Sequence, residues 1–285
     1  MSILNPFRKA RPATGPVEIT LDGPLAQKHR VHVVGDGPDV LVFSHGLGTD
    51  QTVWHPVLEG LPERYRAVLL DLPGAGPLLP EDFDPAAYDR LDRFAEDLLA
   101  LFKEMGITRC RYVGHSVSGM IGALAAIRAP EIFEQMVFLN ASPHYLNDND
   151  YVGGLEPEDV QGLLGQMASH YQGWVEGFAP LAIAEAMPEA IKDFTAGLLA
   201  MRPDITVQVA RTIFLSDVRP MLSKLKVPTV LIHSHGDIVV PDAVAHYLNR
   251  AIRDSRLVWI AARGHLPHLS APDEIRRVLH VHLGN

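Results

Sequence analysis

What most constrains this chain is an alternation. Short apolar runs rich in β-branched residues, at positions 31–34, 40–44, 67–70, 110–113, 136–140, 229–233 and 257–260, recur between longer stretches of helical periodicity. Several of these runs are apolar on both faces, as strands must be when helices cover each side of a sheet. The helical pattern is clearest at 91–105, where Leu91, Phe94, Ala95, Leu98, Leu101 and Phe102 recur at helical spacing and Gly106 supplies a stop. Strands alternating with helices predict a mostly parallel, doubly wound α/β sheet. At 285 residues, 47% hydrophobic and 21% charged, the chain has core enough for one large domain and too little for two.

One region breaks the alternation. Residues 156–216 contain no good strand, only helical pieces separated by Gly173, Gly177, Pro188 and Pro203. The aromatic residues there (Tyr171, Trp174, Phe178, Phe194 and Phe214) suit the roof of an apolar pocket better than an ordinary helical layer. The expected organisation is an N-terminal extension at 1–28, a first core segment at 29–155, a helical lid at 156–217 and a second core segment at 218–285.

Composition removes several function classes. A net charge of −9 with no basic block argues against a surface that tracks nucleic-acid phosphates. The single cysteine, Cys110, allows no internal disulfide and reads as a small core residue. Residues 1–16 carry Arg8, Lys9 and Arg11 without a continuous apolar run, unlike a secretory signal. No window approaches the ~18 apolar residues of a membrane span. A cytoplasmic protein with no nucleic-acid or membrane partner is the expectation.

The sharpest chemical signal is Tyr112-Val113-Gly114-His115-Ser116-Val117-Ser118-Gly119. It follows the run at 110–113 and opens a small-residue helix predicted at 120–128. This is the strand–turn–helix setting of a nucleophile elbow, whose sharp turn needs small residues two positions before and after the nucleophile. Gly114 fills the first position. Ser118 fills the second, where glycine is usual. A serine hydroxyl attacks only when a base takes its proton, and Asp237 and His265 follow later strands in the order Ser…Asp…His. We therefore expect Ser116 as nucleophile, His265 as general base and acid, and Asp237 as the carboxylate that orients the imidazole. His268 and Asp217 read as structural or rim residues. His233 and His235 form an H-x-H pair without a third ligand, so no metal and no cofactor is expected. Oxyanion donors are expected from the amide of Val117 and from Leu47, in the turn Ser44-His45-Gly46-Leu47-Gly48.

Beyond the triad of an α/β-hydrolase, longer segments carry a resemblance. They are His45-Gly46-Leu47-Gly48-Thr49-Asp50-Gln51, the elbow, Ala141-Ser142-Pro143 with Leu146-Asn147-Asp148, Met201-Arg202-Pro203-Asp204-Ile205, and Gly264-His265-Leu266-Pro267-His268-Leu269-Ser270. From about His29 to the C-terminus the chain resembles the strigolactone-receptor family, which includes the karrikin-type receptors and the bacterial stress-pathway hydrolase RsbQ. The resemblance implies a V-shaped lid of four helices over a deep apolar pocket lined by Leu47, Tyr145, Leu155, Trp174, Phe178, Ile213 and Ser216. It also implies slow hydrolysis of butenolide-type ligands and, in several members, signalling to a protein partner. Leu47 and Leu155 replace the family's usual aromatic residues, which implies a roomier pocket, and the loop Leu72-Pro73-Gly74-Ala75-Gly76-Pro77 also departs from the family's version.

Two readings follow. One is a serine hydrolase cleaving a small, mainly apolar ester or butenolide-type lactone through an acyl-enzyme. The alternative is a ligand receptor with slow hydrolysis. Dehalogenases and epoxide hydrolases carry aspartate at the elbow, where this chain has Ser116; a cofactor-free haloperoxidase shares the triad pattern.

Overall fold

The computed structural model describes residues 18–76, 83–184 and 186–283. Each of the seven apolar runs forms a strand: β1 (His32–Val34), β2 (Asp39–Ser44), β3 (Tyr65–Leu70), β4 (Cys110–His115), β5 (Phe133–Leu139), β6 (Thr229–His235) and β7 (Ser255–Arg263). They make one sheet in the order β1-β3-β2-β4-β5-β6-β7. Only β1 runs antiparallel, pairing Val33 with Val68; the other pairings are parallel.

Side-chain alternation along the strands builds a core on each face. Val40, Val42, Val68, Leu70, Met136 and Phe138 point to one side. There they meet α3 (Leu91–Met105), α4 (Val117–Arg128) and α9 (Asp242–Ala251). Leu41, Phe43, Ala67, Leu69, Val137 and Leu139 point to the other side, against Trp54, Val57, Ile275 and Val278. Those four belong to a short turn of 3-10 helix, to α2 (His55–Leu58) and to α11 (Pro272–Leu283). Trp54 is fully buried and stacks on His268 of α10 (Pro267–Ser270). Cys110 is a buried core thiol whose pKa burial pushes up.

Strand ends differ from the apolar runs because a run marks only the buried centre of a strand. β5 begins at Phe133, three residues before its run, and includes the partly exposed Glu134. Its expected last residue, Asn140, is not in the strand: the backbone there turns to φ 46°. Helix α4 starts at Val117, earlier than the expected 120, because it begins immediately after the elbow. Helix α3 has the expected bounds and stops at Gly106.

The last residues of the N-terminal extension belong to the folded body. Helix α1 (Pro24–Lys28) rests on α3, where the Glu104 carboxylate accepts from the amides of Leu25 and Ala26 at 3.1 and 2.8 Å. Residues 1–17, and Pro77 of the departing loop, lie outside the described residues.

Between β5 and β6 the chain leaves the sheet for α5 (Pro157–Ser169), α6 (Tyr171–Ile183), α7 (Pro188–Ala200) and α8 (Pro203–Phe214). Helix α5 packs against α8 and α6, and α6 packs against α7. A capping box between Glu156 and Asp159 starts the first of them. Among the described residues, no helix is long and apolar enough to cross a membrane.

Candidate active site

The elbow is built as its sequence demands. Ser116 sits at φ 55°, ψ −124°, between the end of β4 and the first residue of α4. A Cβ on Gly114 would lie 2.6 Å from the backbone of Ser118, so only glycine lets strand and helix approach this closely. At the other flank, Ser118 does more than stay small. Its hydroxyl meets Ser44 Oγ at 2.9 Å and donates to the carbonyl of His45, tying α4 to the end of β2.

The three expected catalytic side chains converge. His265 Nε2 lies 2.9 Å from Ser116 Oγ, and His265 Nδ1 lies 2.7 Å from Asp237 Oδ2. Asp237 Oδ1 also accepts from the amides of Val239 and Val240 at 2.8 and 3.0 Å. These bonds hold the buried carboxylate in place. An ionised carboxylate only accepts, so Nδ1 carries the imidazole proton and Nε2 faces the serine as an acceptor.

The two residues expected to supply oxyanion donors, Leu47 and Val117, line one cleft. Val117 opens α4, where the first N–H groups have no intrahelical partner and the helix dipole favours negative charge. The Leu47 turn passes close over the site: a Cβ on Gly46 would fall 3.1 Å from Ser116 Cβ. That turn is pinned by Thr49 Oγ1 donating to the Gly46 carbonyl at 3.0 Å. His45 Nε2, in turn, accepts from the amide of Leu72 at 3.0 Å. The loop that the sequence left without a role is thereby tied to the Leu47 turn.

Beside the elbow lies a narrow cleft with a cavity volume of about 20 Å³, room for roughly one water. Leu47, Val117 and Ile213 line it, as do residues 72–75, Leu91, Phe94, Ile121, Met201 and Val209. The sequence offered no signal for the latter group, because they come from separate elements brought together only by folding. The other expected pocket residues do not line this cleft. Tyr145 is buried, with its hydroxyl unpartnered; burial raises its phenol pKa, and neighbouring Ser116 opposes that rise. Trp174 stacks on Phe178 at 5.2 Å, and Phe178 reaches Phe194 at 6.1 Å, joining α6 to α7. Leu155 pairs through its backbone with Leu146 and Asn147. The Ser216 hydroxyl turns back to the Ile213 carbonyl at 2.7 Å.

The side residues fall as follows. Asp217 pairs with Arg219 and caps its amide. His268 is buried between Trp54 and His115, and burial lowers its pKa to about 3. His233 bonds to the Val240 carbonyl at 3.2 Å, whereas His235 stacks on Trp259. No group of three metal-ligating side chains occurs among the described residues.

Comparison with known proteins agrees with this geometry. The pattern of the alpha/beta hydrolase family matches residues 41–278. The chain is 44% identical to a strigolactone esterase of Arabidopsis thaliana, over 87% of this chain and 94% of that one. It is 42% identical to a karrikin insensitive 2 receptor of Petunia hybrida, over 91% and 98% of the two chains. Among solved structures, a hydrolase from Oleispira antarctica superposes with a TM-score of 0.87 at 27% identity, covering 92% of this chain and 97% of that one. The chain therefore belongs to the α/β hydrolase family, alongside the strigolactone esterases and karrikin receptors.

Proposed function

We propose that this protein is a serine hydrolase that cleaves a small, mainly apolar ester or butenolide-type lactone through an acyl-enzyme. The observation that carries the reading is the unbroken chain Ser116–His265–Asp237, at 2.9 and 2.7 Å. In this mechanism His265 takes the Ser116 proton as Oγ attacks the substrate carbonyl. The amides of Val117 and Leu47 stabilise the oxyanion. His265 then protonates the leaving alcohol, which stays tethered to the acyl group when the substrate is a lactone. Water, activated by the same histidine, releases the acid. Tyr145, Leu155, Trp174, Phe178, Ile213 and Ser216 belong in this reading to the wider pocket beneath the lid.

Ser116→Ala tests it. Turnover of p-nitrophenyl acetate should fall at least 1,000-fold, the order expected for loss of a catalytic nucleophile, with the circular dichroism spectrum unchanged. Turnover within tenfold of the parent protein would sink the assignment.

A second reading has its own observation. The carbonyl of Ala182, in the last turn of α6, accepts from the amide of His265 at 2.6 Å. This contact supports a receptor in which the state of the site is passed to the lid and from there to a cytoplasmic protein partner. A strigolactone analogue that shifts the melting temperature and is turned over slowly would favour this reading. Fast multiple turnover of simple esters with no shift would favour a plain esterase.

A further inference from the structure

Asp237 and Ser116 meet the two nitrogens of the His265 ring, so where the ring sits depends on how its backbone is held. All four polar backbone groups of residues 264 and 265 are engaged. The amide of Gly264 donates to the carbonyl of His235 at 3.1 Å, and the amide of His265 donates to Ala182. The carbonyl of His265 accepts from His115 Nε2 at 2.8 Å. The carbonyl of Gly264 accepts from Asn140 Nδ2 at 3.0 Å and from the Ser234 hydroxyl.

Asn140 is the hub of this arrangement. It is fully buried at the end of β5, in the left-handed backbone region that asparagine tolerates better than most residues. Its Oδ1 accepts from the amide of Ser234 at 3.0 Å, while its Nδ2 also donates to Ser234 Oγ at 2.8 Å. An amide donor on one side and carbonyls on the other leave only one orientation of the side chain. His115, the other principal support, immediately precedes the nucleophile. The base is thus tied through short bonds to the same strand end that carries Ser116.

We propose that Asn140 is a positioning residue for the reaction: acting through the Gly264 carbonyl with Ser234, it sets the His265 imidazole over Ser116. It touches neither substrate nor reacting atoms. The proposal rests on the reading of His265 as general base.

Asn140→Gly keeps the positive φ accessible and removes the amide; Asn140→Asp keeps the shape but turns an oxygen toward the Gly264 carbonyl. Both should lower kcat on p-nitrophenyl acetate about 10- to 100-fold with KM within about twofold, the signature of a misplaced catalytic group. The acidic inflection of kcat/KM against pH should move in both, a change that mere loosening of the fold would not produce. Phosphonylation of Ser116 by a fluorophosphonate probe should slow in parallel. Folded Asn140→Gly with the parent kcat and the parent inflection overturns the proposal. Should that variant not fold, Ser234→Ala decides: it removes only the second donor to Gly264 and should lower kcat about 3- to 10-fold, whereas unchanged kcat overturns the proposal. His265→Ala separates the two claims. If it is active, the general-base reading fails; if it is inactive while the Asn140 variants behave as the parent, only the positioning claim fails.

Discussion

Ser118 stands where a glycine would relieve crowding at the elbow, and its hydroxyl compensates for the extra atom by linking Ser44 to the His45 carbonyl. Both partners are buried, so removing the hydroxyl leaves polar groups unsatisfied. Ser118→Ala should cost about 1 kcal/mol in urea-induced unfolding. It should also reduce kcat several-fold, because the oxyanion turn loses one of its ties. A variant with the parent's urea midpoint and kcat would show that the bridge is idle. The sequence marked this position only as a mild departure. A serine that is merely small and one that bridges two elements read alike until β2 and α4 are side by side.

At the scale of elements, α6 meets the His265 loop at close backbone distance. Gly264 has φ 80°, and a Cβ there would meet the carbonyls of Ile183 and Ala182 at 2.3 and 2.6 Å. Backbone atoms on both sides leave no flexible end to yield. Gly264→Ala should therefore push α6 away from the His265 loop, lowering both the melting temperature and kcat, with kcat reduced at least tenfold by loss of alignment. A crystal structure of the variant with α6 unmoved would contradict this account. Elements with strong periodicity were legible beforehand: α3 has its expected bounds because its apolar face and Gly106 stop are both local. The start of α4 and the end of β5 were not. Helix α4 begins at the elbow itself, earlier than its small-residue run suggests, and Asn140 is held by Ser234, far along the chain.

Across the whole molecule, buried histidines contribute to the response to acid. Burial holds the pKa values of His45, His115, His233 and His268 below the ordinary 6.5, with His268 at about 3. These side chains are neutral when folded and take up protons readily once unfolded. Their contribution to stability is therefore complete above pH 6.5 and is lost as pH falls through the window down to the folded values. Each group that stays neutral adds a slope of about 1.4 kcal/mol per pH unit in that window. The urea midpoint should be markedly lower at pH 5 than at pH 7.5. His268→Phe keeps the stack on Trp54 and gives up no hydrogen bond, since neither ring nitrogen has a partner, so it should flatten the dependence. An unchanged slope in that variant would assign the acid sensitivity to other groups.

By itself the sequence determined the class of fold, the seven strands and the order Ser116, Asp237, His265, because strand burial, helical periodicity and an elbow turn are written in neighbouring residues. Only the tertiary structure decided how the site is held and shaped. The cavity wall gathers Leu72, Phe94, Ile121 and Val209 from separate elements. The backbone of residues 264 and 265 is bonded to Asn140, Ser234, His115 and Ala182, which are far apart in the chain. Contacts between residues far apart in the chain leave no local period to read; they exist once the sheet order has brought the strand ends together.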